Sequence, residues 1–124
     1  MKTYAIKDDS NRTFAFEISN AYIGPSTIAD LLRQSSKVTD LRQRKPLESP
    51  GDVYIEFRYA GREFIVWEPY GDSSRYWIGP KNDSDRSGAI DDLEVLFARY
   101  QPPWLRKVAG DLLTFNLKSL LGGR

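Results

Sequence analysis

The cleanest alternation of apolar and polar positions lies in two runs, VYIEFRY (Val53–Tyr59) and REFIVWE (Arg62–Glu68), separated by Ala60-Gly61. A period of two marks strands with one buried face. A two-residue connection, with Gly free to take positive φ, makes the pair a hairpin. Its register sets Phe57 against Phe64 and Ile55 against Val66 on one face. On the other it sets Arg58 against Glu63 and Tyr54 against Trp67, and each such cross-strand pair contributes under about 1 kcal/mol.

Shorter patterns supply the remaining elements. Thr3–Ile6 and Thr13–Ile18 read as strands around a turn at Asp8–Arg12. In the second of them Phe14, Phe16 and Ile18 form an apolar face, alternating with Thr13, Ala15 and Glu17. A helix follows, with Gly24 as N-cap and Pro25 at the first helical position, where a missing N–H costs nothing. Ile23 and Ile28 then take the staple positions flanking the cap, and Ile28, Leu31 and Leu32 make an apolar stripe. Lys37–Pro50 is polar and proline-punctuated and reads as a long loop. Arg75–Ile78 reads as a third strand beside the hairpin. Ala89–Tyr100 repeats at helical spacing through Ile90, Leu93, Leu96, Phe97 and Tyr100, until Gln101-Pro102-Pro103 stops it. Trp104–Leu121 is a second amphipathic pattern, ended by Gly122-Gly123. These elements predict a single α+β domain over residues 1–124. Its sheet is mostly antiparallel, with an N-terminal helix and two C-terminal helices packed on it.

Composition changes this picture mainly by exclusion. The chain has no Cys and no His. Thiolate nucleophiles, histidine general bases, Ser-His-Asp triads and Cys- or His-ligated metals are therefore excluded. Carboxylates, Lys, Tyr, Ser/Thr and Arg remain for chemistry, and oxygen ligation remains for metals. No cofactor is expected. The formal net charge is +1, so no overall field points to nucleic acid or a membrane surface. The N-terminal MKTYAIKDDSNR has no apolar signal-like segment, and no run approaches the roughly 18 apolar residues of a membrane span. The expected location is the cytoplasm, to which the lack of Cys is suited. Charge is uneven. Residues 46–100 hold 6 Lys/Arg and 11 Asp/Glu, a net of −5, while residues 1–45 hold 8 and 5, a net of +3.

Candidate chemistry concentrates in EFIVWEPYGDSSRYWIGP (Glu63–Pro80), where Trp67, Tyr70, Tyr76 and Trp77 surround Glu68, Asp72 and Arg75. Asp72-Ser73-Ser74 has the composition of a turn that bonds its own backbone, and Glu68 with Arg75 is expected to close the loop mouth as an ion pair. Read as chemistry instead, Glu68 and Asp72 form a carboxylate pair between aromatic walls, the combination of a carboxylate-based hydrolase. VWEPYGDSSRYWIGP followed by IDDLEVLFARY resembles a group of small bacterial α+β proteins, and proteins of that kind serve as immunity proteins in toxin–immunity systems, including contact-dependent inhibition. The resemblance spans the central third of the chain and carries no catalytic motif. It implies a non-enzymatic cytoplasmic protein that binds and blocks a toxin domain. An acidic, aromatic region suits a basic partner such as a nuclease, and the expected contact residues are Trp67, Glu68, Tyr70, Asp72, Arg75, Tyr76 and Asp91.

One further motif stands apart. Asp83–Glu94, DSDRSGAIDDLE, follows the spacing of an EF-hand loop, with Asp83, Asp85, Ser87, Asp91 and Glu94 in ligand slots and Gly88 at the sharp turn. A calcium-binding module is the alternative this spacing offers. The preceding RYWIGPKN is strand-like, however, so no entering helix is expected. A Ser87 N-cap with acids in the first helical turn explains the same residues.

Overall fold

A computed structural model describes residues 1–19, 23–44, 53–68, 75–82, 84 and 88–101 of the chain. Six strands and two helices follow one another: β1 (Thr3–Lys7), β2 (Thr13–Ser19), α1 (Pro25–Arg33), β3 (Val38–Gln43), β4 (Val53–Tyr59), β5 (Arg62–Trp67), β6 (Arg75–Pro80) and α2 (Asp91–Arg99). The strands form one sheet in the order β1-β2-β6-β5-β4-β3, with every neighbouring pair antiparallel.

This order dictates where α1 goes. Four antiparallel steps separate β2 from β3, so the two strands run the same way at distant places in the sheet. A connection between them must cross the sheet and reverse direction, the job of a crossover helix. α1 begins at Gly24 with Pro25 in the first turn. It buries Ile28, Ala29, Leu31 and Leu32, and Ile23 is buried beside them. α2 lies on the same face, with Leu93 and Phe97 buried and the Phe97 ring edge-on to Phe16 at 5.3 Å. Its start is tied down by the Ile90 N–H, which donates to the Thr13 carbonyl at 2.9 Å. Its last turn accepts hydrogen bonds from the Met1 amino group at the Ala98 and Tyr100 carbonyls, 2.8 and 2.6 Å, where a cation favourably opposes the helix dipole.

The core lies between the helices and one sheet face. Phe16, Ile18, Ile55, Phe57, Tyr59, Phe64, Val66, Tyr76 and Ile78 meet Ile28, Leu32, Ile90, Leu93 and Phe97 there. β2 is exceptional in being buried on both faces from Thr13 to Ile18: Phe16 and Ile18 join the core, and on the other face Glu17 is paired with Arg75. Among the described residues no helix is long and apolar enough to cross a membrane.

The expected arrangement of helices is corrected. The chain opens on two strands, and the helix expected at the N-terminus follows them as a crossover. The described residues contain two helices, and the one expected over Trp104–Leu121 lies outside them. α2 also starts later than expected: its N-cap is Ile90, with no side-chain cap bond.

The long loop is corrected as well, since Val38–Gln43 is the edge strand β3. Its polarity fits an edge, where charged side chains discourage pairing with other chains. Its period is hidden by a register shift between Thr39 and Arg42, with Asp40 at φ 51°. Such a bulge brings residues three apart onto one face, and Val38 and Leu41 both pack against the core.

The β4–β5 register holds from Ile55–Val66 to Arg58–Glu63, around a turn with Ala60 at φ 52° and Gly61 at φ 80°. It then shifts, so that Trp67 faces Val53 instead of Tyr54.

Burial raises the Tyr59 and Tyr76 hydroxyls above the usual tyrosine value of 10.0, and for Tyr76 the charge of Glu68 adds to this. The folded state therefore keeps both protons over a range where the unfolded chain has released them. That stability is fully present below pH 10 and is lost as pH rises through the raised values. Urea midpoints above pH 10 are expected to fall, by up to about 1.4 kcal/mol per pH unit for each tyrosine. Tyr76→Phe should flatten the slope, and an unchanged slope would contradict the assignment.

Candidate functional site

Strand alternation divides the aromatic stretch between two faces of the sheet. Trp67 and Trp77 are direct cross-strand partners, with rings edge to face at 6.4 Å and 76°. Their register puts them on the face opposite the helices, and both are half-buried. Small residues make room for them. A Cβ on Gly79 would lie 2.6 Å from Cη2 of Trp77 and 2.7 Å from Cβ of Ala15. The Trp77 indole thus lies over Gly79, an aromatic ring covering a strand glycine.

Arg75 belongs to this same face. Its guanidinium donates to Oε1 of Glu17 at 3.1 Å and lies 3.6 Å from the centre of the Tyr4 ring. The expected Glu68–Arg75 closure is thereby corrected. Arg75 opposes Ser19 of β2, one residue out of phase with Tyr76, and Glu68 is on the helix side. Glu17, which alternates with the apolar face of β2, is only 6% exposed. The ion pair answers its burial, because an unpaired charge there would be strongly destabilising.

On the helix side, Glu68 directly follows β5 and is also buried, at 7% exposure. The Tyr54 hydroxyl donates to its Oε1 at 2.6 Å. The bulge that removes Tyr54 from Trp67 is what turns it to this position. The Tyr54 ring stands edge-on to the Tyr76 ring, 5.6 Å away at 89°. Tyr70 and Asp72 lie outside the described residues, so the Glu68–Asp72 pair is not described. Asp91 is exposed in the first turn of α2, far in sequence and on the helix side.

Two acids of the middle of the chain, Glu56 and Asp92, have cation partners. Glu56 is held below the usual carboxylate range by the hydrogen bond from Arg44, at 2.9 Å, with Lys81 also 3.4 Å away. Asp92 is lowered by its hydrogen bond with Lys37 at 2.7 Å, which raises the lysine in turn. Glu63 remains exposed, on the Trp67 side of β5.

Of the calcium-loop residues, Asp83, Asp85 and Ser87 lie outside the described residues. Glu94, the final slot, accepts a hydrogen bond from the Thr3 hydroxyl at 3.0 Å. Gly88 is packed against the Arg62 guanidinium so closely that a Cβ would collide with Nη1. Asn82 takes up the Ser84 N–H and hydroxyl in a local turn. A β1 side chain thus adjoins Glu94, and an arginine adjoins Gly88.

Fold and site together define an antiparallel sheet with helices on one face and an aromatic, ion-paired opposite face. Comparison with known proteins finds no matching family model, no matching curated protein and no matching solved structure.

Gly79→Ala is expected to destabilise by about 1–3 kcal/mol, the cost of overpacking, because Trp77 and Ala15 have to move apart. Urea unfolding with indole fluorescence measures it, and a neutral substitution would show that the indole does not depend on Gly79. Millimolar Ca²⁺ is expected to leave the melting temperature unchanged. Binding at a hundredfold excess over Kd would stabilise by about 2.7 kcal/mol, so an upward shift that Glu94→Ala abolishes would reinstate the calcium reading.

Proposed function

We propose that this chain is a non-enzymatic protein-binding domain of the immunity type, which neutralises a bacterial toxin domain in the cytoplasm. The observation that carries the binding role is the Trp67–Trp77 pair. Two half-buried indoles sit beside a tyrosine-stacked arginine, on a sheet face that none of the described helices covers. Trp, Tyr and Arg dominate binding hot spots because they combine large area with directional polar groups. The immunity class rests on the resemblance of VWEPYGDSSRYWIGP and IDDLEVLFARY. A basic toxin domain is the proposed partner, with Trp67, Arg75 and Glu63 on one side of the sheet and Asp91 on the other as contacts. Glu56 and Asp92 already have cation partners within the chain, so ring burial is given more of the proposed affinity than net charge.

Growth protection tests this. Toxin-like domains of large secreted proteins encoded in neighbouring genes are each expressed alone and with this chain. Protection is expected against one of them, weakened by Trp67→Ala and by Asp91→Arg, the latter with its melting temperature nearly unchanged, since exposed charges contribute little to folding. Failure to protect against any of them, or hydrolytic turnover that Glu68→Gln abolishes, would overturn the reading.

A further inference from the structure

The sheet face that carries Trp67 and Trp77 ends, toward β3, in a cleft lined by Asp40, Arg42, Glu56, Arg58, Glu63 and Lys81. The β3 bulge builds it. The register shift between Thr39 and Arg42, with Asp40 at φ 51°, sets Arg42 opposite Glu56 of β4. Opposite charges in such positions ordinarily join, but Glu56 is already taken. Its Oε2 accepts from Nε and Nη2 of Arg44 at 3.2 and 2.9 Å, and its Oε1 lies 3.4 Å from Nζ of Lys81. Those two cations hold the Glu56 carboxyl below its usual range. Arg42 is exposed and makes no ion pair or hydrogen bond with any described residue. Arg58 is loosely held, with Nε 3.6 Å from Asp40 and Nη1 donating to the Gly61 carbonyl at 3.4 Å. The two guanidiniums share one shallow cleft with Asp40 and Leu41. With Arg44 included, four cations stand there against three acids.

We infer that the cleft between Arg42 and Arg58 seats one carboxylate, from an aspartate or glutamate side chain of a protein partner. A guanidinium fork matches a carboxylate with two parallel hydrogen bonds, and Arg42 has its whole fork to give. A carboxylate also matches the surplus of one cation. A phosphate dianion would bring two charges up to Asp40, Glu56 and Glu63. The seat is continuous with the aromatic pair. Glu63, Ile65 and Trp67 alternate onto this face along β5, and Trp77 and Gly79 lead along β6 to Lys81 just beyond it. An exposed ion pair contributes little alone, but a partner lying on the indoles shields this end from water as well. The inference rests on the binding reading above and adds one contact to it. A basic domain is attracted by acids without being oriented by them, and one acid set against Arg42 fixes its register.

The probe is N-acetylaspartate α-methylamide, a capped aspartate with one carboxylate, titrated into the whole chain at constant ionic strength. Saturable NMR shifts are expected at Nε of Arg42 and Arg58 but not at the exposed Arg99. N-acetylasparagine α-methylamide, the neutral isostere, should move none of them, and inorganic phosphate should bind more weakly. Arg42→Gln should weaken the aspartate at least fivefold with the melting temperature unchanged. Asp40→Asn should tighten it, because it releases Arg58 and keeps a residue that tolerates the left-handed backbone. Equal shifts from the neutral compound, no saturable shift, unchanged binding in Arg42→Gln, or binding that Asp40→Asn fails to tighten would overturn the seat. Tighter binding of phosphate would overturn the choice of a protein carboxylate. The readout needs no toxin, so it separates the two readings. Growth protection without aspartate binding sinks the seat and leaves the binding function. Aspartate binding without protection sinks the toxin assignment and leaves the seat.

Discussion

The pairing of β2 with β6 is the constraint on which the fold depends. It joins a hairpin at the start of the chain to a meander that ends some sixty residues later, setting Phe16 against Ile78 and Ile18 against Tyr76. Closing so long a loop has an entropic cost, though one that grows only slowly with length. The closure is answered by burial on both sides of β2, from Phe16 and Ile18 toward the helices and from Ala15 and Glu17 toward the other face. Once β2 sits beside β6, β3 is left at the far edge in the same orientation, and α1 has to cross the sheet. The seam also gathers the site: Arg75 meets Glu17 across it, and the Trp77 indole fits only because Gly79 and Ala15 are small there.

What was legible in the sequence follows from how local each signal is. The β4–β5 hairpin could be read because turn chemistry and alternation agree within sixteen residues. It failed only at Tyr54, where a bulge shifts register without any Gly or Pro to announce it. β3 was invisible because its bulge replaces the spacing of two by one of three, and because an edge strand needs no apolar face. Nothing in the alternation of Thr13–Ile18 announces that Glu17 is buried. Only the sheet order makes β2 interior, and that order rests on contacts between residues about sixty apart.

The candidate site was half legible for a different reason. The stretch with the right residues was plain, but it was treated as one cluster. Adjacent residues of a strand point to opposite faces, so Trp67 parts from Glu68 and Tyr76 from Trp77. The signal that separates them was available in the strand assignments themselves. Pairing Glu68 with Arg75 because they flank the same loop gave proximity in sequence priority over alternation. The structure gives Arg75 to Glu17, fifty-eight residues away.

This division also changes the electrostatic argument for a partner. A net of −5 over residues 46–100 suggests a field that steers basic proteins, yet Glu56 is neutralised by Arg44 and Lys81, which directly follow β3 and β6, and Asp92 by Lys37 after α1. Ion pairs among exposed groups are screened beyond about 8 Å at physiological salt, so little long-range attraction survives from them. Under the proposed binding role, short-range features then matter beside any such field. Trp67 and Trp77 offer apolar area on one side of the strand end, and Glu68, bonded by the Tyr54 hydroxyl, lies on the other. Since Trp67 and Glu68 are consecutive and point to opposite faces, a partner lying on the indoles would meet the rings and not the carboxylate.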